Sequence, residues 1–116
     1  MRKDVINRGS SFDMSLSEIK DFEKKACLGD SSAAFSLYSY YNFTKNENSK
    51  SLYWLLISAE NGHRIAMYNL AYDYAESNDM KKLYRAFYWA NKAKKLGDKD
   101  ADDLLVDIKN KIKVKF

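Results

Sequence analysis

Three of the four glycines in this chain end similar short phrases at nearly equal intervals. Gly29 and Gly62 lie 33 residues apart, and Gly62 and Gly97 lie 35 residues apart. The phrases that precede these glycines are Ala26-Cys27-Leu28, Ala59-Glu60-Asn61 and Ala93-Lys94-Lys95-Leu96. An internal period of this size is typical of stacked helical repeats. The period therefore predicts a repeat protein, and a repeat of this kind favours a binding surface over a reaction site.

Other residues keep the same register around the glycines. The positions four, eight and twelve residues after Gly29 hold alanine, leucine and tyrosine, and the same three residues recur at those positions after Gly62. The alanine and the leucine also recur after Gly97. The only two tryptophans, Trp54 and Trp89, each lie eight residues before a glycine. Because small and large side chains recur together, we expect repeated helix pairs that bury both tryptophans.

Capping signals and the hydrophobic period predict six helices after a loose arm at residues 1–14. Ser15 and Glu18 form a capping box before the first helix, and Asp79 and Asp98 are suitable N-caps for the fifth and sixth. The predicted helices span residues 15–28, 31–43, 49–61, 63–75, 79–96 and 98–114. Residues 15–116 are thus expected to form a single all-α domain, a short right-handed α-solenoid of six antiparallel helices.

These residues resemble a known family. Ala-x-x-x-Leu-x-x-x-Tyr after a glycine, followed by a tryptophan and Ala-x-x-Gly, is similar to the Sel-one-like repeat, a relative of the tetratricopeptide repeat. The stretch from Ala86 to Ala93 is similar to the second-helix phrase of that family, and the resemblance covers about residues 26–105. Residues 42–48 depart from it, since the family usually has a glycine-rich turn there. The resemblance implies a tetratricopeptide-like solenoid that binds other proteins.

Motifs for catalysis are missing from the sequence. His63 is the only histidine and Cys27 the only cysteine, so neither a histidine pair nor a histidine–cysteine metal set can form. No two glycines lie close enough together for a phosphate-binding loop. We expect His63 to cap or pack against a helix and Cys27 to be a buried thiol. The sequence therefore predicts no enzyme activity, cofactor, metal or small-molecule substrate.

The expected compartment is the cytoplasm. A single cysteine cannot form an internal disulfide, which favours a reducing compartment. Residues 1–14 contain no apolar run of the kind found in signal peptides. No stretch approaches the roughly 20 apolar residues that span a bilayer, so no membrane span is expected.

Charge distribution leaves two possibilities for the fifth predicted helix. The chain has 20 basic and 16 acidic residues, a net charge of +4. Basic residues concentrate in this helix, at Lys81, Lys82, Arg85, Lys92, Lys94 and Lys95. Such a run is usually a solvated outer face. The alternative is attraction of nucleic acid or acidic lipid.

A partner surface can be placed through the resemblance. In tetratricopeptide-like solenoids the first helix of each pair lines the concave face. Residues flanking the repeated leucines would face that groove, which would be aromatic in its middle and acidic at its C-terminal end. The candidate partner-binding residues are Phe35, Ser39, Ile65, Tyr68, Tyr72, Asp103 and Asp107. The alternative is that some of these aromatic residues pack on a neighbouring helix.

The sequence thus predicts a non-enzymatic protein-binding module. The resemblance implies three roles for such a module: a bacterial immunity protein that occludes a toxin or effector, an adaptor, or a secreted effector that binds a host or regulatory protein. The small size favours the immunity protein, because about two repeats offer room for one interface. Nucleic-acid binding through the basic fifth helix is a further hypothesis.

Overall fold

The computed structural model describes residues 13–115, so most of the arm predicted at residues 1–14 lies outside the described residues. Between residues 13 and 115 the chain is helical and contains no β-strand, which confirms the predicted all-α class. Its α-helices are α1 (Leu16–Cys27), α2 (Ser31–Ser39), α3 (Asn48–Glu60), α4 (Arg64–Ala75), α5 (Met80–Lys95) and α6 (Ala101–Lys115). A π-helix, Tyr40–Thr44, follows α2 directly.

The three repeated glycines end α1, α3 and α5 in the same way. Gly29, Gly62 and Gly97 have φ angles of 106°, 97° and 90°. Each glycine N–H donates to the carbonyl three residues earlier, and the next N–H donates to the carbonyl five residues earlier, at 2.9–3.1 Å. These are Schellman motifs. A β-carbon would meet no atom within 4 Å at any of the three, so the positive φ, rather than lack of space, requires glycine.

The predicted helix starts are confirmed for α1 and α5. The Ser15 hydroxyl accepts from the Glu18 N–H at 3.1 Å while the Glu18 carboxylate accepts from the Ser15 N–H at 2.8 Å, which completes the capping box. The Asp79 carboxylate accepts from the Lys81 N–H. The sixth helix begins at Ala101 rather than at the predicted Asp98, although the Asp98 carboxylate accepts from the N–H two residues later, as the Asp79 carboxylate does.

The second predicted helix changes its winding at Tyr40. From this residue to Thr44 the chain forms π-helix, closed by the Lys45 N–H donating to the Tyr40 carbonyl at 3.1 Å. Tyr40 and Tyr41 are both buried, with ring centroids 5.1 Å apart and planes at 72°. The hydrogen bonds of a π-helix join residues five positions apart, and such helices occur mostly as single turns within α-helices. Here the π turn accompanies burial of two consecutive tyrosines.

The helices divide into two compact units, of which the first ends at His63 and contains α1, α2 and α3. Its largest fully buried side chains are Leu37 and Leu55, and Trp54 is 7% exposed, which confirms the predicted core position of this tryptophan. The buried Ser58 hydroxyl donates to the Ser31 carbonyl at 2.8 Å and thereby ties α3 to the start of α2. This unit is held by a small apolar core with one buried polar tie.

The second unit begins at Arg64 and contains α4, α5 and α6. Leu70, Leu83 and Ile108 are its fully buried large side chains, one from each helix, and Trp89 is 3% exposed. The predicted core position of Trp89 is therefore confirmed as well. This unit carries five of the seven candidate partner-binding residues.

One ion pair joins the first residue of the second unit to the loop between α5 and α6. The Arg64 Nη1 lies 3.0 Å from the Asp98 Oδ2, and the Asp98 side chain is 6% exposed. The other Asp98 oxygen accepts from the Asp100 N–H at 2.9 Å. Both oxygens are thus occupied before α6 begins. The Asp98 side chain is thus held between Arg64 and the turn that precedes α6.

Candidate functional site

The two candidate residues of the first unit are partly or fully enclosed. Phe35 is half-buried and stacks on His63, with ring centroids 4.4 Å apart and planes at 7°. This contact gives His63 the packing role that was expected of it. Ser39 is only 3% exposed, so its side chain is not available to a partner on the surface of this unit. The first unit therefore contributes little to the predicted groove.

The two tyrosines of the second unit form a pair on α4. Tyr68 and Tyr72 lie four residues apart, on the same face of the helix. Their ring centroids are 6.3 Å apart with planes at 23°, and Tyr72 is 39% exposed while Tyr68 is half-buried. Ile65, also half-buried, precedes Tyr68 by three residues on this face. The result is a continuous, partly exposed apolar strip along α4.

The orientation of α6 follows from its contacts with its neighbours. The Lys94 ammonium of α5 lies 3.0 Å from the Asp102 carboxylate, which turns one flank of α6 toward α5. On the other flank, the Lys111 ammonium donates to the Ala75 carbonyl at the end of α4. Helical spacing therefore tells which α6 residues lie on the α4 side.

Asp103 and Asp107 precede Lys111 by two turns and one turn, so they lie on the flank of α6 that faces α4. Both side chains are exposed, and neither forms an ion pair with any residue between 13 and 115. Two of the predicted residues thus lie on α4 and two on α6, its neighbour in the second unit. We name this set, Tyr68, Tyr72, Asp103 and Asp107 together with Ile65, the α4–α6 surface.

The chemistry of the α4–α6 surface suits recognition. Tyrosines offer large apolar area with a polar tip and are typical anchors at interfaces. Two exposed carboxylates on the neighbouring helix would attract a basic partner and speed its encounter. Across the described part of the chain, no cluster of three or more histidine, cysteine, aspartate or glutamate side chains could hold a metal ion.

Two polar groups in the second unit were not foreseen from the sequence. Asn69 is 3% exposed, and neither its amide nitrogen nor its amide oxygen has a hydrogen-bond partner within residues 13–115. The Trp89 indole nitrogen is also buried and without a partner there. A signal for Asn69 was present, because the equivalent position 35 residues later holds the apolar Leu104.

The expectation for Cys27 is wrong. Its thiol is exposed, because Cys27 ends α1 on the side facing away from the core and the neighbouring Ala26 is the only buried residue of that helix. The alanine of each glycine phrase occupies a core position of the repeat. The residue after this alanine does not.

The fold and the surface define a class of small, all-helical protein with an exposed aromatic and acidic face. The chain is 35% identical over 103 residues to the uncharacterized protein YibG of Escherichia coli K12, and the match covers 85% of this chain and 67% of YibG. The chain therefore belongs to the same family as YibG. No protein-family model matches the sequence, and no solved structure matches it significantly. None of the helices in the described range combines the length and apolar character needed to cross a membrane.

Proposed function

We propose that this chain is a non-enzymatic protein-binding module whose α4–α6 surface contacts one partner protein. The observation that carries the proposal is the partly exposed tyrosine pair on α4, together with two exposed aspartates on the neighbouring α6 that have no ion-pair partner in residues 13–115. Aromatic residues at the centre and charges at the edge are the arrangement of a binding interface. The module would be a short right-handed α-solenoid of the Sel-one-like type, which is the architecture implied by the repeat.

The partner that fits best is a bacterial toxin or effector, which the chain would occlude as an immunity protein in the cytoplasm. Three observations support this: the resemblance to a repeat found in immunity proteins, the bacterial source of YibG, and an acidic surface suited to a basic partner. The exposed, unpaired Cys27 thiol fits a reducing compartment.

The experiment has two stages. First, the tagged chain is used to capture its partner from the native host, and the partner is identified by mass spectrometry. Second, the purified partner is titrated with the wild-type chain and with Tyr72→Ala. We expect the variant to bind at least about tenfold more weakly, or ~1.4 kcal/mol, as for an interface anchor. Leu52→Ala is the matched control, because Leu52 is 41% exposed and Tyr72 39%.

The acidic edge is tested by association kinetics. Asp103→Lys with Asp107→Lys should mainly lower the association rate, since charges at the edge of an interface steer encounter more than they hold the complex. Glu60→Lys, an exposed acid on α3, is the control. Normal binding by the Tyr72 and aspartate variants would show that the α4–α6 surface is not the interface. A captured partner that is a host or regulatory protein would support the adaptor or secreted-effector role instead.

A further inference from the structure

One face of α5 combines basic and aromatic residues without any acid. We name this set the α5 stripe; its members are Lys81, Tyr84, Arg85, Tyr88, Lys92 and Lys95. They recur at intervals of three, four and seven residues and so lie on one side of the helix. All six are exposed, whereas the buried residues of α5, such as Leu83 and Ala90, lie on the opposite side. The stripe extends over about 21 Å at 1.5 Å per residue.

The charges of the α5 stripe are not neutralised by the rest of the described chain. Lys94, which lies outside the stripe, pairs with Asp102 at 3.0 Å. No such carboxylate partner exists in residues 13–115 for the four basic residues of the stripe. Arg85 and Lys92 instead contact the same ring, with charged groups 4.5 Å and 5.2 Å from the Tyr88 centroid. Two like charges are thus held beside one ring.

Helix stability does not account for this placement. Positive charge near a helix N-terminus opposes the helix dipole, yet the first turn of α5 contains Lys81 and Lys82. Only the lysines of its last turn are favourably placed for the dipole. Tyr84 is 49% exposed, so folding gains little from its ring. Helix stability alone therefore does not explain these residues.

We propose that the α5 stripe binds an acidic segment of a partner protein. Carboxylates of that segment would pair with Arg85 and Lys92, and an apolar residue within it would pack on the exposed ring of Tyr84. The α5 stripe shares no residue with the α4–α6 surface. The stripe is basic and suits an acidic partner, whereas the α4–α6 surface carries two aspartates and suits a basic one. The inference goes beyond the proposed function by adding a second surface and by stating the chemistry of what it binds.

An acidic protein segment fits the stripe better than a nucleic acid does. The six basic residues of α5 exceed the net charge of +4 for the whole chain, so the remainder carries a net charge of −2. The neighbouring helix α6 contributes Asp102 and Asp103 in its first turn. Nucleic-acid binding relies on a broad basic surface, whereas the excess positive charge of this chain is confined to α5. Cations already cover Tyr88, which leaves its ring less open to stacking by a base.

The test uses the full chain and three labelled probes in fluorescence anisotropy titrations. They are a 16-residue helical peptide of glutamate and leucine, a 20-nucleotide thymidine oligonucleotide, and vesicles containing phosphatidylserine. We expect the peptide to bind more tightly than the other probes and to weaken with added salt. Arg85→Glu with Lys92→Glu should weaken peptide binding at least about tenfold. The control, Lys20→Glu with Lys24→Glu on α1, makes the same change in net charge and should stay within about twofold.

The Tyr84→Ser variant tests whether the peptide contacts a specific surface that includes this ring or is held by charge attraction alone. Because this variant keeps the charge, a loss of about fivefold in peptide affinity would show that the ring contributes. Tyr88 is left intact, since it packs edge-on against Trp89 with centroids 5.0 Å apart. Circular dichroism on every variant verifies that the helices remain. Tyr72→Ala should bind the peptide normally, so failure of this proposal and failure of the α4–α6 surface are distinguishable.

Four results would overturn the proposal. The oligonucleotide or the vesicles could bind more tightly than the peptide, which would assign the stripe to nucleic acid or lipid. The α1 control could weaken peptide binding as much as the α5 variant, which would mean that the net charge of the chain attracts the peptide and that no specific site on α5 binds it. Tyr84→Ser could leave the affinity unchanged. Finally, sedimentation could show an oligomer that Arg85→Glu with Lys92→Glu disperses, which would mean that a second copy of the chain covers the stripe.

Discussion

Replacement of Asn69 by leucine is expected to stabilise the second unit, although it changes a native core residue. Asn69 is 3% exposed, and both polar atoms of its amide lack partners within residues 13–115. A buried amide without hydrogen bonds costs about 1–3 kcal/mol relative to its solvated state. The repeat itself supplies the replacement, because Leu104 occupies the equivalent position of α6 and is 6% exposed.

The size of the expected stability gain follows from the removal of the unpaired amide and from the retained shape of the side chain. Asparagine and leucine side chains have the same number of non-hydrogen atoms and the same branching, so overpacking should be small. Removal of the unpaired amide should then raise the free energy of unfolding by about 1–3 kcal/mol. For a chain of 116 residues, the usual entropy of unfolding converts each kcal/mol into roughly 4 °C of melting temperature. The expected increase is therefore about 4–12 °C.

The assay is urea unfolding followed by circular dichroism, with a thermal melt as a second measurement. Asn110→Leu is the matched control, since Asn110 is exposed on α6 and its replacement should change stability by no more than about 0.5 kcal/mol. A loss of 1 kcal/mol or more in Asn69→Leu would refute the reasoning. It would show that the native amide is hydrogen-bonded in solution, and that the asparagine is favourable where it stands.

The remaining predictions concern the core and the pH dependence of stability. Trp54→Ala and Trp89→Ala should each destabilise the chain by about 3–5 kcal/mol, measured by urea unfolding, because both rings are buried; a loss below about 1 kcal/mol in both would contradict the packing. Burial raises the pKa of the Tyr41 hydroxyl above its ordinary value of 10.0, with the Lys50 charge acting in the opposite direction. Since the unfolded chain then loses this proton at a lower pH than the folded chain, the free energy of unfolding should fall as pH rises above 10.0 through the folded pKa. Between pH values below and above the folded pKa, the urea concentration at the unfolding midpoint should fall less in Tyr41→Phe than in the wild type. An equal fall in both proteins would contradict the assignment of this pH dependence to Tyr41.

The helix ends were predictable from sequence because their chemistry is local. A residue that needs positive φ at the end of a helix is nearly always glycine, and Gly29, Gly62 and Gly97 meet this need with the same hydrogen bonds. The ion pair in front of α6 was not predictable in this way. The Asp98 carboxylate pairs with Arg64, 34 positions earlier, and no local signal indicates that contact.

The candidate site was predictable only in part, for a related reason. The four-residue spacing of Tyr68 and Tyr72 ensured that they share a face of α4, whichever way that helix packs. Ser39 occupies the repeat position of Tyr72, and the same logic placed it in the groove. Burial at the junction between α2 and the π-helix removes its side chain from the surface. The repeat thus predicted equivalent positions along the chain, but it could not predict where the helical winding changes.

Comparison of α3 with α5 shows where the repeats agree and where they differ. At an offset of 35 residues, the buried Ser51, Trp54, Leu55 and Ser58 of α3 correspond to the buried Ala86, Trp89, Ala90 and Ala93 of α5. Tyr53 and Tyr88 also correspond, and each packs edge-on against its tryptophan.

The outer positions do not correspond. Tyr84, Lys92 and Lys95 of α5 replace Ser49, Ile57 and Glu60 of α3. Packing explains the residues that the two helices share, whether core residues or tyrosines that cover a tryptophan. It does not explain Tyr84, Lys92 and Lys95, which are all exposed on α5. The change from serine, isoleucine and glutamate to tyrosine and lysine is therefore best explained by a contact outside the unit, which is the argument for searching for a partner at α5.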